Sequence, residues 1–170
     1  MDPLEKNTSR SSSMNYWVTH APGRKTLENI TLRPLSMEDL DEVVRIDFSL
    51  LGKQRKDYWK NKLERTEESG VPSLAAEING KVIGFILGKA SEHEYGIPEN
   101  VGWIDTIGVD KEWQGKGISH LLYKEISSLF KKVGIDTIYV FLDSNKRDLV
   151  KFFEKMGFVR GGVLSMESRI

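Results

Sequence analysis

The stretch that decides the fold runs from Gly102 to Phe130 and reads GWIDTIGVDKEWQGKGISHLLYKEISSLF. Its first part, Gly102–Val109, has the apolar run that predicts a strand. Its last part predicts a helix, because its apolar side chains follow the i, i+3, i+4 spacing of one helical face: Ile118, Leu121, Leu122, Ile126, Leu129 and Phe130. A glycine-rich turn, Gln114–Ser119, joins the two elements. The stretch therefore predicts a strand, a tight loop and a helix that begins at or near Gly117.

The loop is expected to bind an anion. The first amides of a helix have no partner within the helix, and the helix dipole is positive at that end. Gly115 and Gly117 let the backbone approach a phosphate, and Lys116 adds a positive charge. A magnesium-nucleotide loop is disfavoured because Lys116 is not followed by Ser or Thr, and a dinucleotide fingerprint is disfavoured because His120 stands where a small residue is needed.

The loop resembles the pyrophosphate loop of the Gcn5-related N-acetyltransferases, whose pattern is Gln or Arg, two residues, Gly, one residue, then Gly or Ala. Here the pattern reads Gln114-x-x-Gly117-x-Ser119, with a small hydroxyl residue in the last position. The resemblance extends from Ile30 to the C-terminus and includes Ala75–Gly88, which is similar to the family's central hairpin. It also includes Phe152–Phe158, which is similar to the family's closing helix.

The resemblance implies acetyl-CoA as co-substrate, without a metal. The pantetheine arm is then expected along the backbone of Ile107, Gly108 and Val109, where the strand bulges and splays from its neighbour. The phosphates are expected at Gln114, Gly115, Lys116, Gly117, Ile118 and Ser119. The Ile107 amide matches the family's donor to the thioester carbonyl, and such a donor contributes on the order of 3 kcal/mol. Asn145 is close to a cofactor-contacting position, although with Asp148 it also resembles a helix N-cap pair.

The acid and the base are less clearly marked. Many family members have a tyrosine as general acid in the closing helix, and the matching residue here is Phe153. This loss is tolerable because a thiol with a pKa near about 8.5 leaves as thiolate. Asp105, two residues before Ile107, is predicted by strand alternation to share its face, which makes Asp105 a possible base or an amine-binding residue. Trp103 is expected on that face as an aromatic wall for the acceptor.

Composition favours one soluble domain. The 170 residues carry 25 basic and 25 acidic side chains and no cysteine, so nothing indicates a nucleic-acid partner, a disulfide or a thiolate metal site. No apolar run has the length of a membrane span, and we expect a cytoplasmic protein. Residues 1–28 are expected to be a mobile tail and residues 29–170 a single acetyltransferase domain.

The predicted fold class is α/β (α+β), with a mixed, mostly antiparallel central sheet and helices on both faces. The predicted order is a strand Ile30–Leu35, two helices, three strands, a helix, a strand, a helix and a final strand pair. Asn79-Gly80 is predicted to be the hairpin turn between the second and third strands. A buried strand is expected at Thr137–Leu142, and the final pair is expected to turn at Gly161-Gly162.

The function implied is acetyl transfer from acetyl-CoA to a primary amine, by direct attack in a ternary complex. Two alternatives remain open. A peptide or ribosomal-protein N-terminal acetyltransferase needs a peptide groove near the link Ser91–Asn100, and an α-amine, with a pKa of about 7.7 to 8.0, suits a site without a strong base. A non-catalytic acyl-CoA sensor is raised by Phe153 and the absence of an obvious base. The partner is thus a small-molecule or peptide amine, and a homodimer through an edge strand is possible.

Overall fold

The computed structural model describes residues 29–68, 70–91, 97, 100–163 and 165–170. The predicted tail, residues 1–28, lies outside the described residues, as does most of the link between Ser91 and Asn100. All helices, strands and contacts below belong to the described part of the chain.

A five-stranded sheet forms the centre of the molecule. Its strands are β1 (Thr31–Pro34), β2 (Leu74–Ile78), β3 (Lys81–Ser91), β4 (Val101–Val109) and β5 (Ile138–Val140). They lie in the order β1-β2-β3-β4-β5, and each neighbouring pair is antiparallel except β4 and β5, which are parallel. This is the mixed, mostly antiparallel sheet that the sequence predicts.

The turn between β2 and β3 confirms the strongest local prediction. Asn79 has φ 50° and Gly80 has φ 78°, so both central residues take the left-handed conformation. Asn and Gly are the residues that tolerate this conformation best, and the turn matches the twist of the two strands. The pair β2–β3 is thereby fixed in register, with Ile78 opposite Lys81.

Four helices cover the two faces of the sheet. Their bounds are α1 (Leu40–Leu51), α2 (Lys56–Glu64), α3 (Ile118–Lys132) and α4 (Arg147–Lys155). On one face α1 and α2 form a core of Val43, Ile46, Trp59, Leu63 and Phe85. On the other face α3 and α4 pack on β4 through Ile104, Val109, Leu122, Phe130 and Phe153. Burial of each large apolar side chain contributes roughly 1.5–3 kcal/mol, so both faces are needed for stability.

Glycines bring α3 close to the sheet. A Cβ at Gly102 would lie 2.8 Å from Phe130 Cε1, and a Cβ at Gly88 would lie 2.5 Å from Ile126 Cδ1. Both distances are below van der Waals contact. A larger residue at Gly102 or Gly88 would therefore require Phe130 or Ile126 to move away from the sheet. The helix is thus held close to β4, and its N-terminus lies at the end of that strand.

Two predictions about the C-terminal part are wrong. The strand predicted at Thr137–Leu142 is reduced to Ile138–Val140 and is only half-buried, because β4 is its sole partner among the described residues. The strand pair predicted to turn at Gly161-Gly162 does not form in residues 159–163 and 165–170. Val159 and Met166 are each 87% exposed, so this segment has too few buried apolar side chains to hold a hairpin against the sheet.

Candidate functional site

Strand β4 has a bulge in its middle. Leu87 of β3 pairs with Thr106, whereas the next residue, Gly88, pairs with Ile104, so Asp105 is the extra residue. On the other side of β4, pairing with β5 ends at Ile104 opposite Val140. β5 ends at this point, so no strand pairs with Ile107 on the side away from β3 in the described part of the chain, and we call this open side the gap. The bulge is the one that the family resemblance implies, while the splay of the two strands stays a prediction.

The hydrogen-bond pattern gives the direction of the Ile107 backbone. The Asp110 amide donates to the Ile83 carbonyl at 2.9 Å. Hydrogen-bonded and non-hydrogen-bonded pairs alternate along an antiparallel ladder, so Ile107 and Ile86, three steps along, form a non-hydrogen-bonded pair. The N–H and C=O of Ile107 therefore point away from β3 and towards the gap beside β5.

A second contact supports this assignment of hydrogen-bonded and non-hydrogen-bonded pairs between β3 and β4. The Val109 carbonyl, two residues from Ile107, accepts a hydrogen bond from Gln114 Nε2 at 3.1 Å. That carbonyl therefore also points away from β3. The same bond fixes the start of the glycine-rich loop against the end of β4.

The loop and the first turn of α3 have the local geometry on which the predicted anion binding depends. Gly115 and Gly117 have φ of 72° and 88°, a conformation that costs other residues roughly 1–2 kcal/mol. A Cβ at Gly115 would meet no atom within 4 Å, so the space outside the loop is open. The first bonded amide of α3 is that of Leu121, which donates to Gly117 at 3.0 Å. The amides of 118–120 precede it and are directed out of the N-terminal end of the helix.

Lys116 lies alongside this loop. Its ammonium is 4.5 Å from the ring centroid of Trp113, within the range of a cation–π contact. The charge is therefore held beside the helix end rather than extended into solvent.

A cleft of about 310 Å³ brings these elements together. Six predicted cofactor residues line it: Ile107, Gly108, Val109, Gln114, Gly115 and Ser119. Four residues that were not predicted to contact the cofactor complete the lining: Leu50, Asp148, Leu149 and Phe152. Leu149 and Phe152 belong to the apolar stripe of α4, which predicts burial and gives no signal that one edge of the stripe faces a cleft.

The N-terminal end of α4 differs from its prediction. The N-cap residue is Lys146, and no side chain caps the helix, so the capping roles predicted for Asn145 and Asp148 are wrong. Asn145 is exposed, and its backbone N–H donates to Asp143 Oδ1 at 2.9 Å. Its contact with the cofactor stays a prediction. Phe153 is only 2% exposed and packs in the core, whereas Phe152 lines the cleft, so neither offers a proton at this wall.

Asp105 does not lie where alternation predicts. The side chains of Asp105 and Thr106 are both on the α2 face of the sheet. The extra residue in the bulge therefore reverses the alternation of side chains in the residues that follow. Asp105 is bonded to Lys62 of α2, with 2.5 Å between Oδ2 and Nζ, while Ile107 packs against the core on the α3 face. The prediction that Asp105 and Ile107 share a face is therefore wrong. Trp103 is on the α2 face, as Asp105 is.

Lys62 is a candidate site residue that the sequence does not reveal. It is one of several basic residues in and around α2, a charge pattern that is typical of a solvent-exposed helix face, yet its side chain is only 20% exposed. Its ammonium also donates to Tyr58 Oη at 2.9 Å. Burial alone would lower the pKa of Lys62, but the bonds to Asp105 and Tyr58 outweigh burial and raise it. The ammonium thus stays charged at neutral pH.

Aromatic side chains continue this face towards β5. The Trp103 ring stacks on Tyr139 at 5.0 Å between centroids and lies 5.1 Å from Phe141. Trp103 is buried, so its ring supports the surface without forming it, whereas Phe141 is 54% exposed. The aromatic wall predicted at Trp103 is therefore presented to solvent by Phe141.

Other kinds of site are not seen in the described ranges. These residues contain no group of three His, Cys, Asp or Glu side chains placed to hold a metal ion. No helix in the same ranges has both the length and the apolar composition needed to cross a bilayer.

The sequence of the chain matches an acetyltransferase family. Residues 37–158 match the model of the acetyltransferase (GNAT) family. This match covers more than half of the chain, and the chain therefore belongs to the GNAT family.

Individual relatives agree with this assignment. The chain is 26% identical over 157 residues to an uncharacterized N-acetyltransferase of Methanocaldococcus jannaschii, covering 85% of this chain and 69% of the relative. It is 26% identical over 145 residues to an N-alpha-acetyltransferase of Saccharolobus solfataricus, covering 80% and 84%. Among solved structures, the aminoglycoside N-acetyltransferase AAC(6')-Iy in complex with CoA has the same fold, with a TM-score of 0.70 at 14% identity over 82% of this chain and 94% of that one.

Proposed function

We propose that the protein transfers an acetyl group from acetyl-CoA to a primary amine, by direct attack of the amine on the thioester in a ternary complex. The observation that carries this proposal is the position of the Ile107 amide. It points into the gap on the open side of β4, in a cleft whose far side is the open N-terminus of α3.

The residues of the cleft suit the parts of acetyl-CoA. The amides of 118–120 and the Lys116 ammonium offer positive charge to the pyrophosphate. The apolar side chains of Leu149 and Phe152 offer a wall to the pantetheine arm. Acetyl-CoA supplies an activated acyl group whose leaving group is a thiolate of low basicity.

The chain contributes orientation and electrostatics to the transfer. As the amine nitrogen bonds to the carbonyl carbon, negative charge develops on the carbonyl oxygen, and the Ile107 N–H is placed to stabilise it. The carbon–sulfur bond then breaks, and the sulfur keeps the electron pair. The amine proton passes to water or to a carboxylate, for which Asp105 is the proposed acceptor. Because Phe152 lines the cleft and Phe153 is buried in the core, no acid of α4 is assigned to the thiolate.

A peptide or protein N-terminus is the second acceptor to test. One relative bears the name N-alpha-acetyltransferase and matches 80% of this chain. An α-amine also has a larger neutral fraction at neutral pH than a lysine amine, which favours attack without a strong base. A panel should therefore include an alkylamine and short peptides with free and blocked N-termini.

Calorimetric titration of acetyl-CoA tests the cofactor site. Gly117→Trp should abolish binding, because the indole would fill the space at the helix end. Gly134→Trp is the matched control: Gly134 also has positive φ, 81°, and lies just beyond the opposite end of α3. Saturable binding by the native chain and the control, lost in Gly117→Trp, supports the proposal. No binding by the native chain would overturn it.

Turnover separates an enzyme from an acyl-CoA sensor. We expect CoA release to require an amine and to rise in proportion to protein concentration. Binding of acetyl-CoA without acetyl transfer to any amine or peptide of the panel would favour the sensor.

A further inference from the structure

The ion pair between Lys62 and Asp105 lies on the α2 face of β4, and because Asp105 is the proposed proton acceptor we call this face the acceptor side. Asp105 is the bulged residue of β4, next to the point where pairing with β5 ends, and its side chain is 47% exposed. Lys62 comes from α2 and is largely covered. The carboxylate is thus accessible, and a positive charge from the protein itself already neutralises it.

Two carboxylates of α1 are paired with basic residues in or just before α2. The acidic residues of α1 nearest to α2 are themselves bonded: Asp47 to Arg55 at 2.6 Å and Asp41 to Lys56 at 2.7 Å. The Arg55 guanidinium lies 4.6 Å from the centre of the Tyr58 ring, which also has the Lys62 ammonium 5.1 Å away. Arg55 and Lys62 therefore place two positive charges at the Tyr58 ring.

Exposed aromatic rings flank the pair. Tyr58 on α2 and Phe141 just after β5 are both about half exposed, and Phe141 packs on the ring of Trp103. These rings offer apolar contact to the body of an acceptor. A neutral pair between apolar surfaces suits an acceptor with a single amine on an apolar skeleton.

We propose that Lys62 determines acceptor specificity: by neutralising Asp105 it directs the site to apolar monoamines and away from acceptors with several positive charges. This inference rests on the proposed function and names its substrate class. Without Lys62, the Asp105 carboxylate would attract the second ammonium of a diamine. With Lys62 present, that second ammonium meets a charge of its own sign.

The test compares hexylamine with 1,6-diaminohexane, which share a six-carbon chain. The measured quantity is the ratio of kcat/KM for the diamine to kcat/KM for the monoamine at saturating acetyl-CoA. Lys62→Met removes the charge and keeps the length of the side chain, and it should raise this ratio about fivefold, the factor that a partly exposed charge pair of about 1 kcal/mol implies. The double variant Lys62→Met, Asp105→Asn should return the ratio to within twofold of the native value.

Lys60→Met is the matched control, since Lys60 is an exposed lysine of the same helix. It should leave the ratio unchanged. A ratio that does not move in Lys62→Met, or that moves as far in Lys60→Met, would overturn the inference. So would a native protein that already favours the diamine by fivefold.

Equilibrium binding keeps this test separate from the proposed function. Both amines are titrated into the native chain and Lys62→Met in the presence of CoA, and the ratio of dissociation constants should shift in the same direction. If that shift occurs without acetyl transfer, the proposed function fails and the specificity role stands. If acetyl transfer occurs without any shift, the specificity role fails, and it also fails if neither amine binds or reacts with any variant.

Discussion

Arg45 of α1 is bonded to Asp110, the residue that follows β4. The Arg45 guanidinium donates to Asp110 Oδ2, and it also donates to the Val82 carbonyl at 3.0 Å. Asp110 Oδ1 in turn accepts from the amide of Glu112 at 3.1 Å. The buried Asp110 carboxylate therefore joins α1 to the turn that precedes the glycine-rich loop, and Arg45 joins both to β3.

Asp110→Asn should weaken both stability and cofactor binding. The amide loses the charge that Arg45 faces and leaves a buried group with imperfect partners, at a cost of about 1–3 kcal/mol in the free energy of unfolding. The loop would lose part of its anchor, so the dissociation constant of acetyl-CoA should rise. Urea denaturation and calorimetry measure the two effects. Glu112→Gln is the control, because only the backbone amide of Glu112 bonds to Asp110. Equal stability of Asp110→Asn and the native chain would contradict this account.

Acid should destabilise the protein through Asp39, Asp47 and Asp110. Burial is the largest single effect and would raise the pKa of each, but hydrogen bonds and charge attraction together, chiefly from Arg33, Arg55 and Arg45 respectively, outweigh burial and lower each pKa below its ordinary value of 3.8. A lowered folded-state pKa gives stability that is present above the unfolded pKa and is lost as pH falls through the folded one. The free energy of unfolding should therefore fall below about pH 4.

Urea denaturation between pH 2 and pH 7 measures this dependence. These three carboxyls should add no slope between pH 5 and pH 7. A stability that stays constant down to pH 2.5 would show that the three ion pairs contribute nothing.

Gly102→Ala should destabilise the packing of α3 on the sheet. The new methyl would lie 2.8 Å from Phe130 Cε1, and such overpacking costs about 1–3 kcal/mol. Gly162→Ala is the control, because a Cβ there would meet no atom within 4 Å. Chemical denaturation of both variants gives the comparison. The account of the helix position is wrong if Gly102→Ala is as stable as Gly162→Ala.

Phe152 and Phe153 should respond differently to truncation. Phe153→Ala removes a buried core side chain and should cost about 3–5 kcal/mol of folding free energy. Phe152→Ala removes part of the cleft wall, so its main effect should be a higher KM for acetyl-CoA, with a smaller loss of stability. Denaturation and initial rates separate the two. If Phe152→Ala leaves KM unchanged, the cofactor does not use this wall.

The sequence predicts the fold well where a pattern is local. The period of Ile118, Leu122 and Ile126 placed α3, and Asn79-Gly80 placed the hairpin, because each depends on neighbouring residues alone. The predictions of the C-terminal strands failed because the formation of a strand at the sheet edge depends on which residues pack over it. Apolar composition is not enough when side chains such as Val159 stay in solvent.

The site is predicted less completely than the fold. The loop residues were predicted because glycines followed by the start of a helix are a local pattern that favours anion binding. Asp105 was placed on the wrong face because a bulge adds one residue without a sequence signal, and one residue reverses strand alternation. Lys62 was missed because its partner lies on a distant strand, and charge pattern along a helix cannot distinguish a lysine in solvent from one held by another element.

The most direct test of the central claim is the rate of acetyl transfer to hexylamine by the native chain and by Ile107→Pro. Proline removes the N–H that faces the gap, and because Ile107 and Ile86 form a non-hydrogen-bonded pair, it removes no bond to β3. We predict acetyl transfer by the native chain, and a variant that still binds acetyl-CoA but transfers its acetyl group about 100-fold more slowly or worse. No transfer by the native chain, or an equal rate in a folded variant, would contradict the account.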